Sequence, residues 1–272
     1  GQQAEYLPGI AAGERIVTPA WLEPGNGFSP RGVQLTATAD GDEFVLAGTK
    51  LHVNFAQAAD TLLVLARTGE ADDAIDLFLV PRDAPGVSLT QKMSISSDTQ
   101  YLVEFDDVRV PADARLGDAG TGWTTWHDVM HDGAILASAQ AMGGTEYTLE
   151  ITAEYSKDRE QFDKPLAAFQ SLAHYMADAK TELDGGKVLT YEAAWARTTG
   201  RPANRLAPMA KLFTGKVYRD TTAMAQQIFG GVGFTVEYDV QLYFRRAKQL
   251  QLSWWDSRTC EDLVATAVLD AA

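Results

Sequence analysis

Residues 101–142 read YLVEFDDVRVPADARLGDAGTGWTTWHDVMHDGAILASAQAM, and the hydrophobic pattern changes within this stretch. Residues 101–110 predict paired strands, which Pro111 closes. After the Gly120–Gly122 turn, apolar residues recur at helical spacing, from Ile135 to Met142. The stretch therefore predicts a β domain that ends at residue 118 and a helical domain that follows it.

Upstream, the chain shows the pattern of several short strands. Apolar and polar residues alternate from Val33 to Thr38, so one face of this segment is expected to be buried. A turn at Asp40-Gly41 follows, and the apolar runs at 61–66 and 77–80 are bounded by charged or proline-containing loops. Short strands at this spacing are typical of a β-barrel or β-sandwich, which we predict for residues 14–118.

Downstream, apolar stripes predict about four long helices. The first stripe covers 135–153, the second covers 166–183, the third begins at Leu206, and a fourth helix is expected over 240–269. Helices of this length usually pack antiparallel. The predicted fold is an α+β multidomain protein: a β-barrel or sandwich domain, then an antiparallel four-helix bundle at 119–272.

The composition excludes some classes of function. A formal net charge of −14 lacks the basic face that sequence-independent nucleic-acid binding needs. No apolar run approaches the roughly 18 residues of a membrane span, and no secretory signal is visible. The single cysteine, Cys260, rules out an intrachain disulfide and fits a reducing compartment. We therefore expect a cytoplasmic globular protein without a nucleic-acid partner.

A series of motifs runs along nearly the whole chain. The motifs are LEPG at 22–25, GTK at 48–50, FDDVRVP at 105–111, REQFDKPLAAFQ at 159–170, QIFGGVGF at 227–234 and RRAK at 245–248. In type and order they resemble those of the acyl-CoA dehydrogenase family. That family has an N-terminal helical domain, a β domain and a C-terminal four-helix bundle. Residues 1–13 resemble the link that leaves the N-terminal domain, which this chain lacks.

The resemblance implies an FAD cofactor and assigns residues to it. It places Arg159, Gln161 and Phe162 on the FAD of a neighbouring subunit. An arginine guanidinium suits the pyrophosphate because it donates two parallel hydrogen bonds. Gln170 would reach the adenosine end. A plainer interpretation of Arg159 is a cation that complements the dipole at a helix C-terminus.

Three further residues are implied to lie against the adenine and ribose. They are Gln227, Gly230 and Gly231, and glycines let the backbone approach a ligand closely. A helix C-cap followed by a turn would also explain the two glycines.

The flavin end departs further from the family pattern. Leu22 and Phe28 stand where many relatives have Thr and Ser. Asn54 stands where a Thr bonds the flavin N5 edge, and an asparagine amide could still donate that hydrogen bond. His52 replaces an aromatic residue that covers the flavin, although it could equally be an ordinary polar strand residue.

The catalytic base of the family is missing from both of its usual positions. In most relatives a glutamate removes the α-proton of an acyl-CoA, and here the two positions are Gly133 and Trp254. Neither side chain can accept a proton. Asp132 and Asp256 are the nearby candidates, but Asp132 would need a shifted helical register. A plainer interpretation of Asp132 is an acidic residue that complements the dipole at a helix N-terminus.

Three hypotheses follow. The first is an acyl-CoA dehydrogenase subunit that completes an FAD site but has a degenerate base. The second is a self-sufficient acyl-CoA dehydrogenase that uses Asp132 or Asp256, and the third is a flavin-free scaffold. The resemblance implies as partners an acyl-CoA thioester, a second copy or a related subunit, and an electron-transfer flavoprotein as acceptor.

Overall fold

A computed structural model describes residues 1–25 and 27–270 of the chain. The chain divides into two compact units, of which the first comprises residues 1–127. The first unit contains one short helix and a set of strands: α1 (Gln2–Ala12), β1 (Val17–Ala20), β2 (Thr36–Asp40), β3 (Glu43–Asn54), β4 (Thr61–Arg67), β5 (Ile75–Pro81), β6 (Val87–Lys92), β7 (Gln100–Pro111) and β8 (Arg115–Leu116).

These strands form one mixed sheet, so the predicted β domain is present. Its order is β6-β7-β3-β2-β4-β5-β8, and β1 joins it by pairing in parallel with β4. The long strands β3 and β7 pair antiparallel along most of their length. β4 and β5 are apolar on both faces and nearly wholly buried, which makes them the centre of the domain core.

A buried ion pair fixes the segment that precedes β2. Lys50 Nζ lies 2.6 Å from a carboxylate oxygen of Glu23, and both side chains are buried. The same carboxylate accepts hydrogen bonds from the backbone N–H groups of Gln34 and Leu35. A charge removed from water needs partners of this kind, and these contacts tie residues 23 and 34–35 to β3.

The helical part begins at residue 122, and its main elements are α2 (Gly122–Asp158), β9 (Glu160–Gln161), β10 (Lys164–Pro165), α3 (Gln170–Thr198), α4 (Leu206–Phe229), α5 (Val240–Leu252) and α6 (Ser257–Leu269). Most of α4 is buried because it packs against α3, α5 and α6. Met142, Leu183 and Val217 bring α2, α3 and α4 into one apolar core. The structure thus agrees with the predicted helical domain. Within the described residues, no helix is long and apolar enough to cross a membrane.

The helix expected over 240–269 is interrupted. α5 ends at Leu252, α6 begins at Ser257, and Trp254 between them has a positive φ of 67°. Left-handed backbone is unfavourable for a bulky residue, so surrounding contacts must hold it. The apolar pattern alone did not reveal this break, because both helices present apolar residues at helical spacing.

Candidate functional site

Residues 159–165 form a small hairpin at the end of α2. β9 pairs antiparallel with β10, and the two loop residues, Phe162 and Asp163, have φ values of 55° and 62°. Two consecutive positive φ values in a two-residue loop are those of a type I′ turn. Such positions favour glycine, asparagine or aspartate, so the phenylalanine is conformationally strained. Its side chain is nonetheless 84% exposed, and strain at an exposed aromatic residue is a reason to suspect a functional role.

The hairpin and the start of α3 present three exposed polar side chains: Arg159, Gln161 and Gln170. The backbone of Arg159 is fixed, because its N–H donates to Tyr155 and its C=O accepts from Leu166, both at 2.9 Å. Within the described part of the chain, its guanidinium makes no hydrogen bond or ion pair. An exposed arginine of this kind can bind a diphosphate through paired hydrogen bonds.

The glycine-rich segment after α4 leaves its backbone open. Gly230 has φ 66° and ψ −141°, a conformation that is essentially restricted to glycine. No atom lies within 4 Å of the position that a Cβ would take at Gly230 or Gly231. Gln227, on the last turn of α4, is exposed. The open space allows a ligand to approach this backbone closely.

An aromatic cluster links the hairpin to the glycine-rich segment. The ring of Tyr155, one turn before Arg159, stacks on Phe229 with centroids 4.1 Å apart and an interplanar angle of 13°. Tyr238 packs edge-on against both rings. The two motifs therefore lie at the same end of the bundle. No sequence motif singled out Tyr155, apart from its position one turn before the arginine.

The residues assigned to the flavin end lie in the β domain. The C=O of Leu22 accepts a hydrogen bond of 2.8 Å from Leu51 N–H, and half-buried Phe28 packs against Trp21. Asn54 is exposed at the end of β3, and its C=O accepts a bond from the Thr18 hydroxyl. Its side-chain amide has no hydrogen-bond partner among the described residues, so it remains able to donate to a ligand.

The two positions that the family resemblance assigns to the catalytic base, Gly133 and Trp254, are in contact with each other. A Cβ built on Gly133 would lie 2.2 Å from Cε3 of Trp254, so the indole ring rests directly on the backbone of α2. Gly133 is buried, and Trp254 is half-buried. Neither carries a proton-accepting group, and the ring fills the space beside residue 133.

The two candidate replacement carboxylates are engaged elsewhere. Asp132 accepts from Arg197 Nε at 2.6 Å, and Asp128 binds the same guanidinium at 2.6 Å. The hydrogen bonds that Arg197 donates to Asp132, and secondly to Asp128, raise the pKa of its guanidinium. Asp256 is the N-cap of α6, where its carboxylate accepts from the N–H of Thr259 at 2.8 Å.

A buried lysine, Lys211, donates hydrogen bonds to the backbone at the break between α5 and α6. Lys211 Nζ donates to the C=O groups of Trp255 at 3.0 Å and Gln251 at 3.3 Å. Burial lowers the pKa of Lys211 to about 8. Burial also raises the pKa of nearby Cys260 to about 12. The sequence pattern did not predict that this lysine is buried, because the burial comes from the packing of α4 against α3, α5 and α6.

Two family models match the chain. The model of the acyl-CoA dehydrogenase middle domain matches residues 19–108, and that of the acyl-CoA dehydrogenase C-terminal domain matches residues 120–253. Together they cover well over half of the chain and define it as the β domain and helical domain of a flavoprotein dehydrogenase. The chain belongs to the acyl-CoA dehydrogenase family, which confirms the predicted resemblance.

Individual relatives agree with this membership. The butyryl-CoA dehydrogenase structure from Megasphaera elsdenii is 31% identical, with a TM-score of 0.94 over 98% of this chain and 72% of that chain. Subunit CarC of the caffeyl-CoA reductase-Etf complex from Acetobacterium woodii is 31% identical over 90% of this chain and 66% of its own length. The FAD complex of PigA is 25% identical, with a TM-score of 0.93 over 98% of this chain and 71% of that chain.

The match to longer relatives is partial. The chain spans 72% and 61% of the lengths of two curated acyl-CoA dehydrogenases to which it is 31% identical. At the level of the family, the predicted flavin oxidoreductase class and the FAD cofactor are confirmed.

Proposed function

We propose that this chain is an acyl-CoA dehydrogenase subunit that binds the adenosine and pyrophosphate end of FAD but has no catalytic base of its own. The family reaction removes two hydrogens from an acyl-CoA thioester to give the 2,3-enoyl-CoA. Bound FAD would supply the acceptor of the hydride. The partners in this proposal are a related subunit that carries the base, the acyl-CoA thioester, and an electron-transfer flavoprotein.

The residues of the bundle end fit the cofactor. The guanidinium of Arg159 has no partner among the described residues and suits the pyrophosphate. The open backbone at Gly230 and Gly231 suits the ribose and adenine. Gln161, Gln170 and Gln227 add exposed amide groups. In this proposal, Phe162 packs against the FAD of a neighbouring subunit, which accounts for its strained and exposed position.

The observation that carries the proposal is the contact between Trp254 and Gly133. A base must reach the α-carbon of the substrate within hydrogen-bond distance, and the indole fills the space beside one base position while it replaces the other. A self-sufficient enzyme would need Asp132 to leave Arg197 or Asp256 to leave the α6 N-terminus. Either change would break contacts that now satisfy these carboxylates.

The visible spectrum of the purified full chain tests the proposal, first alone and then with FAD and butyryl-CoA under anaerobic conditions. We expect FAD to bind, either to a homomer of this chain or to a complex with a related subunit. When butyryl-CoA is added to the homomer, we expect the flavin absorption band to persist. Bleaching of the homomer would favour the self-sufficient enzyme, with Asp132→Asn and Asp256→Asn identifying its base. A failure to bind FAD, even beside a related subunit, would favour the flavin-free scaffold.

A further inference from the structure

The end of β3 contains an irregularity that turns a histidine outward. The pairing of β3 with β7 shifts register between Lys50 and Val53. His52 lies inside this bulge with φ 54°, and it is exposed. Bulges of this kind re-aim side chains and occur often beside active sites. Asn54, two residues further along the strand, is also exposed, so the two side chains lie on one face.

A chain of polar groups orients the imidazole of His52. Its Nδ1 lies 2.8 Å from Gln100 Oε1, and Gln100 Nε2 lies 2.7 Å from Asp98 Oδ2. The hydroxyl of buried Ser96 donates to the other oxygen of Asp98. Burial tends to raise the pKa of Asp98, but hydrogen bonds from Ser94, Ser96 and Gln100 lower it below its ordinary value. Asp98 is therefore an ionised group that can only accept hydrogen bonds.

This series of hydrogen bonds determines which ring nitrogen of His52 carries the proton. Because Asp98 can only accept, the NH2 of Gln100 must face Asp98, and its oxygen must face His52. Nδ1 of His52 then has to be the donor. The neutral imidazole consequently presents an unprotonated Nε2 on the exposed side of the strand.

We propose that His52 is a proton-accepting residue of the flavin site and that Gln100 and Asp98 are positioning residues that fix its tautomer. This inference rests on the proposed function and on the expectation from the family resemblance that Asn54, on the same face as His52, lies at the N5 edge of the flavin. Two-electron reoxidation of a bound anionic reduced flavin would release one proton, from N5. The electrons pass to an electron-transfer flavoprotein, and Nε2 of His52 accepts the proton and then returns it to solvent. The neighbouring segments contribute the charged groups Asp98 and Lys92. The strand position of Lys92 pairs with that of Gln100.

The first test needs no flavin. Long-range ¹⁵N–¹H spectra of the full chain labelled with ¹⁵N-histidine report which ring nitrogen carries the proton, and His52→Gln assigns the signals. We expect Nδ1–H for His52 and a different tautomer distribution for His174, an exposed histidine without a described partner. Gln100→Leu should move His52 toward the distribution of His174, and Asp98→Asn should do so in part. An Nε2–H tautomer in the wild-type chain would overturn the relay.

The second test uses the FAD-loaded protein. The flavin is reduced with dithionite, and its reoxidation by ferrocenium, an artificial one-electron acceptor, is followed across the pH range. We expect the wild-type rate to depend on pH and His52→Gln to lose that dependence, while FAD affinity changes little. Identical pH profiles would overturn the role of His52 and leave the proposed function standing. If no FAD binds, the proposed function fails and this role with it, whereas the tautomer spectra still decide whether the relay exists.

Discussion

The indole ring of Trp254 lies on the backbone of Gly133, so that a Cβ at residue 133 would be only 2.2 Å from Cε3 of the ring. The ring reaches this place because Trp254 adopts a left-handed conformation in the break between α5 and α6. The two positions that the family resemblance assigns to the catalytic base thus belong to one packing arrangement. It closes the space that a carboxylate would occupy.

Gly133→Ala tests this packing. We expect the added methyl group to force the ring or the helix to move and to lower the free energy of unfolding by about 1–3 kcal/mol. Urea denaturation followed by circular dichroism measures the change.

Gly143→Ala is the matched control, because it lies on the same helix with no atom within 4 Å of its Cβ position. Alanine has the higher helix propensity, so this variant should be more stable by up to about 1 kcal/mol. In a Trp254→Ala background, Gly133→Ala should lose its penalty. Equal costs in both backgrounds would show that the ring does not cause the effect.

Arg159→Ala tests the pyrophosphate assignment. We expect FAD to bind about tenfold or more weakly, because at least one charge-assisted hydrogen bond is lost. Stability should change little, since the guanidinium has no partner among the described residues. Equilibrium dialysis or flavin fluorescence gives the affinity. Arg205→Ala, which also removes an exposed arginine without a described partner, should leave FAD affinity unchanged.

Phe162→Asn separates backbone strain from ligand binding. Asparagine tolerates positive φ better than phenylalanine, so we expect a gain in stability of up to about 1 kcal/mol together with weaker FAD binding. Asp163→Gly relieves strain at the adjacent turn position, which has φ 62°, and should keep FAD affinity. If Phe162→Asn binds FAD as the wild type does, the ring has no role in the cofactor site.

Lys211→Met tests the buried lysine through the pH dependence of stability. The folded pKa is about 8 and the ordinary value is 10.5, so between these values the unfolded chain binds more protons than the folded one. The stability of the wild type should therefore rise with pH in this window, relative to the variant, by an amount on the order of 1–3 kcal/mol.

The comparison between chains removes the contribution of Lys50, which also titrates at alkaline pH. Both chains carry Cys260→Ala, because the thiol of Cys260 interacts electrostatically with Lys211. Lys216→Met, on the same helix but exposed, should produce no such difference. A parallel pH dependence in the wild type and Lys211→Met would contradict the lowered pKa of Lys211.

Much of the architecture was predictable because it depends on local periodicity. The change from strand to helix pattern near Gly120 predicted the order of a β domain and a helical domain, and both are present. The interruption at Trp254 was not predictable from the same pattern. Its φ is 67°, its ring packs on α2, and Lys211 of α4 donates to the C=O of the next residue, Trp255. No local window of sequence contains these contacts.

The sequence by itself determined the family, through motifs whose order and spacing are read directly along the chain. It also predicted, through the resemblance, that both base positions lack a carboxylate. Only the tertiary structure decided what those positions do instead. In the folded chain, Trp254 packs on Gly133, Asp132 forms an ion pair with Arg197, and Asp256 caps the N-terminus of α6. The physical reason is that a side chain's partner is chosen by packing between segments far apart in the chain, whereas a motif is a local property of the sequence.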